Sequence, residues 1–277
     1  MTTSERARSL LPRFSRRDIG EGALIAAAFL AYFWVRGAVV DNPEHAYWHA
    51  RHIIDAERAL HIFVEGDMNR WVTHHHWLAQ VLNYTYFYLH FPLIIVFGMW
   101  AYFYRRERYT FIRDSFLASG AIALVIYFLY PVAPPRDLPQ LATQYDPSAP
   151  AYVHQFVDTM KAYLGYAYDS QSTHAFVNPY AAMPSLHFGW DLLLGIAIIN
   201  CFKGMRFGWI ALAIGVMLPA SQVLAITMTA NHFFLDAVAG GIVAMAGLAI
   251  SYALQRWGYP WVRGQWAERR RAEAPST

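Results

Sequence analysis

A histidine and an aspartate four residues apart, His232 and Asp236, stand at the mouth of an apolar run in Thr229-Ala230-Asn231-His232-Phe233-Phe234-Leu235-Asp236. On a helix that spacing places both side chains on one face. A carboxylate beside an imidazole keeps one ring nitrogen protonated and oriented, leaving the other free to attack phosphorus or to carry a proton. Taken alone, the pair also fits a polar histidine at a membrane surface. Two more groups change the weighting. His187, in Met183-Pro184-Ser185-Leu186-His187, opens a second apolar run, and Arg136, in Pro134-Pro135-Arg136, follows a third. Ser185 is a good N-cap, which puts His187 in a first helical turn where free amides and the helix dipole favour an anion. Arg136 offers a planar guanidinium suited to bidentate phosphate binding. One histidine to attack, one to protonate a leaving oxygen, an aspartate to orient and an arginine with amides to hold charge would make a metal-independent phosphoryl-transfer site needing no cofactor.

These groups meet only if the intervening elements bring them together. The chain is 56% hydrophobic, 17% aromatic and 15% charged, too apolar for an ordinary soluble domain and without the basic excess of a nucleic-acid binder. It reads as an all-α polytopic membrane bundle with six transmembrane helices. The expected spans are about 22–40, 78–104, 114–132, 185–202, a fifth ending near 228, and 233–254. Residues 1–20 and 256–277 read as basic tails, with the membrane domain over 21–255. Nothing in the first run resembles a cleavable signal peptide, and Arg36 near its end can snorkel to the interface. The single cysteine, Cys201, excludes an internal disulfide and any multi-cysteine zinc site.

Between the spans, residues 41–80 mix Ile53, Ile54, Leu60, Ile62 and Phe63 with scattered acids and histidines, which predicts short amphipathic helices on the outer surface. Pro131-Val132-Ala133-Pro134-Pro135 should end the third span in a stiff, extended exit that aims Arg136. Val153, Phe156, Val157, Met160, Tyr163 and Leu164 predict one amphipathic helix over the bundle. Tyr163, Tyr166, Tyr168 and Tyr180 could exclude water from a site or anchor at the interface. His74-His75-His76 point around a helix rather than to one spot, so interfacial polarity is preferred there over metal binding. Asn83 and His90 are polar groups at membrane depth that need a partner or a cavity.

Positive charge supplies an orientation. With the N-terminus inside, Arg6, Arg8, Arg13, Arg16 and Arg17, then Arg105, Arg106, Arg108 and Arg113, then Lys203 and Arg206, then Arg256, Arg263, Arg269, Arg270 and Arg271 all fall on the cytoplasmic side. Arg136, His187 and His232 then share the opposite, outer face. The expected setting is a bacterial inner membrane with the site on the periplasmic face.

Pro184-Ser185-Leu186-His187, and His232 with Asp236 four residues on, resemble the second and third signature motifs of the type 2 phosphatidic acid phosphatase superfamily. Pro131-Val132-Ala133-Pro134-Pro135-Arg136, Ala181-Ala182-Met183-Pro184-Ser185-Leu186-His187 and Ala230-Asn231-His232 are similar to the branch with the inositol phosphorylceramide synthases and their bacterial relatives, over roughly residues 45–250. The resemblance implies that His232 is a nucleophile forming a phosphohistidine, that Asp236 orients it, and that His187 is general acid and then base. Arg136, Ser185 and the amides beside His187, Leu186 among them, would hold the phosphate oxygens. The partners implied are a membrane lipid substrate and an alcohol or lipid acceptor.

Two positions depart from the superfamily's phosphatase pattern. Leu129 stands where a Lys precedes the first-motif Arg by seven, and Ile226 where an Arg precedes the nucleophilic His by six. Fewer cations favour a singly charged phosphodiester over a dianionic monoester, hence an inositolphosphotransferase-like transferase over a lipid phosphate phosphatase acting on phosphatidic acid or a prenyl phosphate. The soluble vanadium haloperoxidases of the superfamily need a richer cation set. A transporter or a catalytically silent homologue is the non-enzyme reading, but transporters usually place polar groups at the midplane in repeated halves.

Overall fold

The computed structural model describes residues 15–39, 42–164 and 179–272. Arg6, Arg8, Arg13, Tyr166 and Tyr168 lie outside the described residues, as does the side chain of Arg36. The chain is a helical membrane bundle, and the pairing between residues of extended backbone is a single parallel bridge, Val132 to Ala181, among the described residues.

Five helices are long and apolar enough to cross a membrane. They are α1 (Arg16–Val39), the continuous rod formed by α4 (His76–Tyr84), a π-helical turn (Thr85–Leu89) and α5 (His90–Tyr104), then α6 (Arg106–Leu129), α10 (Gly208–Met228) and α11 (Phe234–Ala253). The expected fourth span is α9 (Leu186–Phe202), an apolar helix of 17 residues that is shorter than the other five. It nevertheless sits at the centre, packed on α10 and α11, while α11 packs on α6. Small residues let these helices approach. A Cβ on Gly240 of α11 would lie 2.1 Å from the carbonyl oxygen of Ser185, and one on Gly189 would lie 2.5 Å from the carbonyl of Gly240. Only glycine permits that contact, which sets α11 against the start of α9.

Short helices close one end of the bundle. They are α2 (Pro43–Ala59), α3 (Glu65–Thr73), α7 (Leu138–Tyr145) and α8 (Thr159–Leu164). Along α2 the buried residues are Ala46, Tyr47, Ala50, Ile53, Ile54 and Glu57, a single helical stripe. That stripe packs with Val132, Ala133, Leu138, Leu141, Val153, Phe156, Ala182 and Phe233 into a compact apolar core at the bundle end. Amphipathic helices at 41–80 were expected, although Leu60 turns out exposed at the end of α2.

Three boundaries need correction. Only Arg105 separates α5 from α6, so Arg106, Arg108 and Arg113 lie on a helix rather than in a turn. After Ala253 a π-helical turn (Leu254–Gly258) leads into α12 (Tyr259–Ala272), so the basic tail is helical through the described residues. Residues 153–164 are not one amphipathic helix. A 3-10 turn (Ala151–Val153) is followed by a non-helical link and then by α8. The apolar residues Val153, Phe156 and Met160 are buried as their pattern predicted, but asparagines rather than helical hydrogen bonds hold the link. Asn69 donates to the carbonyls of Val157 and Met228 and accepts from the Val157 amide at 2.8 Å. Asn83 donates to the Thr159 carbonyl and accepts from its hydroxyl. The partner that Asn83 needed at depth is therefore this strap.

Candidate functional site

The three motif segments are laced by backbone hydrogen bonds. The helix α6 ends at Leu129, and the prolines carry the chain out in extended form to a 3-10 turn (Pro135–Asp137) holding Arg136. Val132 donates to the Tyr180 carbonyl and accepts from the Ala182 amide, tying the first segment to the second. The Arg136 amide donates to the Ala230 carbonyl at 2.9 Å, tying first to third. The Ser185 amide donates to the Asp236 carbonyl at 2.9 Å, tying second to third. The Tyr127 hydroxyl donates to the Pro184 carbonyl at 2.7 Å and anchors the group on α6.

His232 sits on the tight connection between α10 and α11. Its amide and that of Asn231 both donate to the carbonyl of Ile226, and Ala230 takes a left-handed φ of 57° to make the turn. An alanine there is mildly strained, and the paired amides hold it. The His232 Nδ1 lies 2.8 Å from the Ala182 carbonyl oxygen and 3.5 Å from Asp236 Oδ2. Because a carbonyl can only accept, Nδ1 carries the proton and Nε2 the lone pair. Nε2 is buried and has no hydrogen-bond partner among the described residues. The carbonyl of Ala182 is thus the nearer orienting group, and Asp236 stands second. Asp236 Oδ2 accepts from the Phe233 amide at 2.9 Å, capping α11 while facing the imidazole.

His187 lies in the first turn of α9, after the buried N-cap Ser185, whose hydroxyl accepts from the Phe188 amide at 3.5 Å. Its ring centroid is 5.6 Å from that of His232. Tyr86 stacks on it at 4.2 Å from the π-helical turn. Arg136 has a side chain only 6% exposed and lies close enough to act electrostatically on His187. Its Nε is 3.6 Å from Asp137 Oδ1. Burial pushes the Asp137 carboxyl up, and the Arg136 charge works against that rise. His187, His232, Asp236, Arg136, Ser185 and the turn containing Leu186 are therefore together at one end of the bundle. An imidazole nitrogen with a lone pair, a second imidazole whose ring centre is 5.6 Å away, and a guanidinium near that second ring can perform nucleophilic phosphoryl transfer.

Neither expected cation position carries a cation. Leu129 is 70% exposed at the end of α6, whereas Ile226 is fully buried. Among the histidines of the 74–76 run, His75 Nδ1 donates to the Trp71 carbonyl at 2.9 Å with its ring stacked on Trp71, and His76 packs edge-on to Tyr163. Tyr163 itself donates to the Thr73 carbonyl, and Tyr180 packs against the apolar core.

Two features escaped sequence reasoning. Glu65 Oε1 accepts from the Phe234 amide at 2.6 Å, and Glu57 Oε1 from the Leu235 amide at 2.8 Å. With Asp236, three carboxylates cap successive amides of α11. Burial pushes both glutamates up, Glu57 to about 9 with the Glu65 charge adding to the rise. The available signal was that Glu57 continues the Ile53 and Ile54 stripe. The second feature is Asp191, four residues after His187 and bonded to His90.

A family model described as the PAP2 superfamily matches residues 51–250. No curated protein and no solved structure matches the chain.

Proposed function

This chain belongs to the PAP2 superfamily, whose members are in general phosphatases and phosphotransferases, and on that premise we propose an inositolphosphotransferase-like lipid phosphotransferase with a phosphohistidine intermediate. In this reading His232 Nε2 attacks phosphorus of a phospholipid head group, forming a P–N bond as the P–O bond to the lipid oxygen breaks. His187, as imidazolium, gives its proton to that oxygen. The neutral His187 then takes the proton of an acceptor hydroxyl, whose oxygen attacks phosphorus and releases His232. His232 Nδ1 keeps its proton and donates it to the Ala182 carbonyl throughout, and Asp236 offsets the positive charge of the phosphorylated ring. Arg136, Ser185 and the Leu186 amide hold the phosphate oxygens.

The observation that carries the preference for a transferase is the apolar pair of positions, exposed Leu129 and buried Ile226, which leaves Arg136 as the cation of the motif set at the site. One guanidinium matches the single charge of a phosphodiester better than the double charge of a monoester. The distribution of positive charge supports an outer-face placement of the bundle end bearing the site.

The test is end-point lipid mass spectrometry on purified protein in detergent, offered phosphatidic acid, phosphatidylinositol or a prenyl phosphate, each with and without diacylglycerol or ceramide. A new head-group-bearing lipid that appears only with acceptor, and is lost in His187→Ala and His232→Ala, is expected. Free phosphate from phosphatidic acid in preference to any diester would replace the proposal with a lipid phosphatase.

A further inference from the structure

Behind His187 lies a second imidazole–carboxylate pair. His90 Nδ1 is 2.8 Å from Asp191 Oδ1, with side chains 1% and 5% exposed, so the contact is fully removed from solvent. The His90 ring centroid is 4.7 Å from that of His187, and its Nε2 is buried without a hydrogen-bond partner among the described residues. Asp191 is one helical turn below His187 on α9, so one face of that helix presents both members.

The placement of His90 depends on an irregular backbone. It is the residue immediately after the π-helical turn Thr85–Leu89, and of the fifteen residues of α5 only His90 and Ala101 are buried. A π-helical turn shifts the register of everything beyond it, and such turns concentrate at functional sites. The same turn delivers Tyr86 onto His187. One backbone irregularity thus places two side chains against the imidazole that acts as acid and base in the proposed reaction.

The charges around His187 explain what that contact supplies. On its other sides it faces the His232 imidazole across the site, the Arg136 guanidinium from the 3-10 turn and the neutral Tyr86 ring. A charged histidine or arginine disfavours a protonated neighbour, and a charged His90 would do the same, so His90 supports a protonated His187 only as the neutral ring whose Nδ1–H Asp191 accepts. Asp236 lies beyond His232, bonded to that ring and to the Phe233 amide. The carboxylate on the His90 side is Asp191, reached through a ring whose Nδ1 it fixes.

We propose that His90, held by Asp191, is a positioning residue for His187, fixing its ring and supporting the protonated form that a general acid needs. With Asp191 accepting the Nδ1 proton, His90 Nε2 is a lone-pair acceptor available to the N–H of a protonated His187. The inference rests on the acid–base role assigned to His187 above.

The test follows the imidazole titration of His187 by 15N NMR in wild type, His90→Phe and Asp191→Asn, alongside pH profiles of kcat. In both variants the His187 midpoint is expected to fall by about one unit, the scale of one nearby charge. The alkaline limb of kcat should move down with it, and KM should stay within about twofold. An unchanged midpoint in variants that fold overturns the proposal, whatever happens to turnover. Should Asp191→Asn not fold, His90→Phe keeps an aromatic ring in place and carries the same measurement. Asp191→Glu should restore part of the shift. The titration needs no substrate, so a wild type inactive on every lipid tried would refute the proposed function while leaving this result to stand or fall by itself.

Discussion

The two ends of the bundle treat buried polar groups in opposite ways. At the basic end Arg113 donates to Glu21, Asp114 and the Tyr259 hydroxyl, and Asp114 accepts in addition from Tyr259 and Gln255. Arg106 reaches Asp18, which also accepts from Tyr102. These bonds tie α1, α6 and α12 together. At the other end His232 Nε2, Asp236 Oδ1, His90 Nε2 and Glu57 Oε2 are buried without partners among the described residues. An unpaired buried polar atom costs on the order of 1–3 kcal/mol. The basic end, where Arg105 Nε is the unpartnered buried atom among the described residues, therefore spends most of its polar groups on cohesion, and the site end holds several ready for a ligand.

Removing the group most poised for chemistry should break this contrast furthest. His232→Ala is expected to lower turnover by about a thousandfold or more, with the melting temperature within a few degrees of wild type. Lipid mass spectrometry and thermal unfolding in the same detergent check both. A large loss of stability with residual turnover would mean that the site end is a structural network like the other.

Arg113→Ala is the converse substitution. It strands Glu21 and Asp114, whose side chains are 12% and 6% exposed, and should cost about 3 kcal/mol. Turnover per folded molecule should stay near wild type. Denaturant unfolding alongside activity separates the two terms.

How far this contrast was legible in the sequence depends on whether a group works through its side chain or its backbone. His187, His232, Asp236 and Arg136 stand out because residue type and position at a helix end carry the information, and the structure brings all four to one place. The carbonyl of Ala182 could not be found that way, since any residue supplies a carbonyl and only the fold aims it at Nδ1. Apolar runs located the membrane helices, but the π-helical turn at Thr85–Leu89 interrupts no hydrophobic pattern, so the inward aim of His90 stayed hidden. The periodicity of 153–164 identified buried Val153, Phe156 and Met160 yet misjudged the backbone, because apolar spacing records which side chains are buried and not what pairs with the amides.

That missing backbone pairing is what Asn69 supplies, and it gives a smaller test of the same contrast. Asn69 is a satisfied amide at the end that holds the unpartnered site atoms, bonded to Val157 and Met228. Asn69→Ala should cost about 2 kcal/mol, with turnover per folded molecule reduced by less than about threefold. A larger loss of turnover would move the strap from scaffold to site.

Glu57 lies on the boundary between the two behaviours, because one oxygen caps Leu235 and the other has no hydrogen-bond partner among the described residues. Its carboxyl titrates at about 9, raised first by burial and then by the charge of Glu65. Between the ordinary value of 4.5 and about 9, the folded state holds a proton that the unfolded state releases, so stability falls as pH rises through that window. The slope approaches about 1.4 kcal/mol per pH unit if Glu57 alone is responsible. Glu57→Gln keeps an oxygen for the Leu235 amide and cannot ionise. It should match wild type near pH 5 and melt several degrees higher near pH 9, with the stability profile correspondingly flatter. A wild-type profile already flat from pH 5 to 9 would show that the three-carboxylate cap on α11 is ionised throughout, and that this helix start is built like the basic end of the bundle.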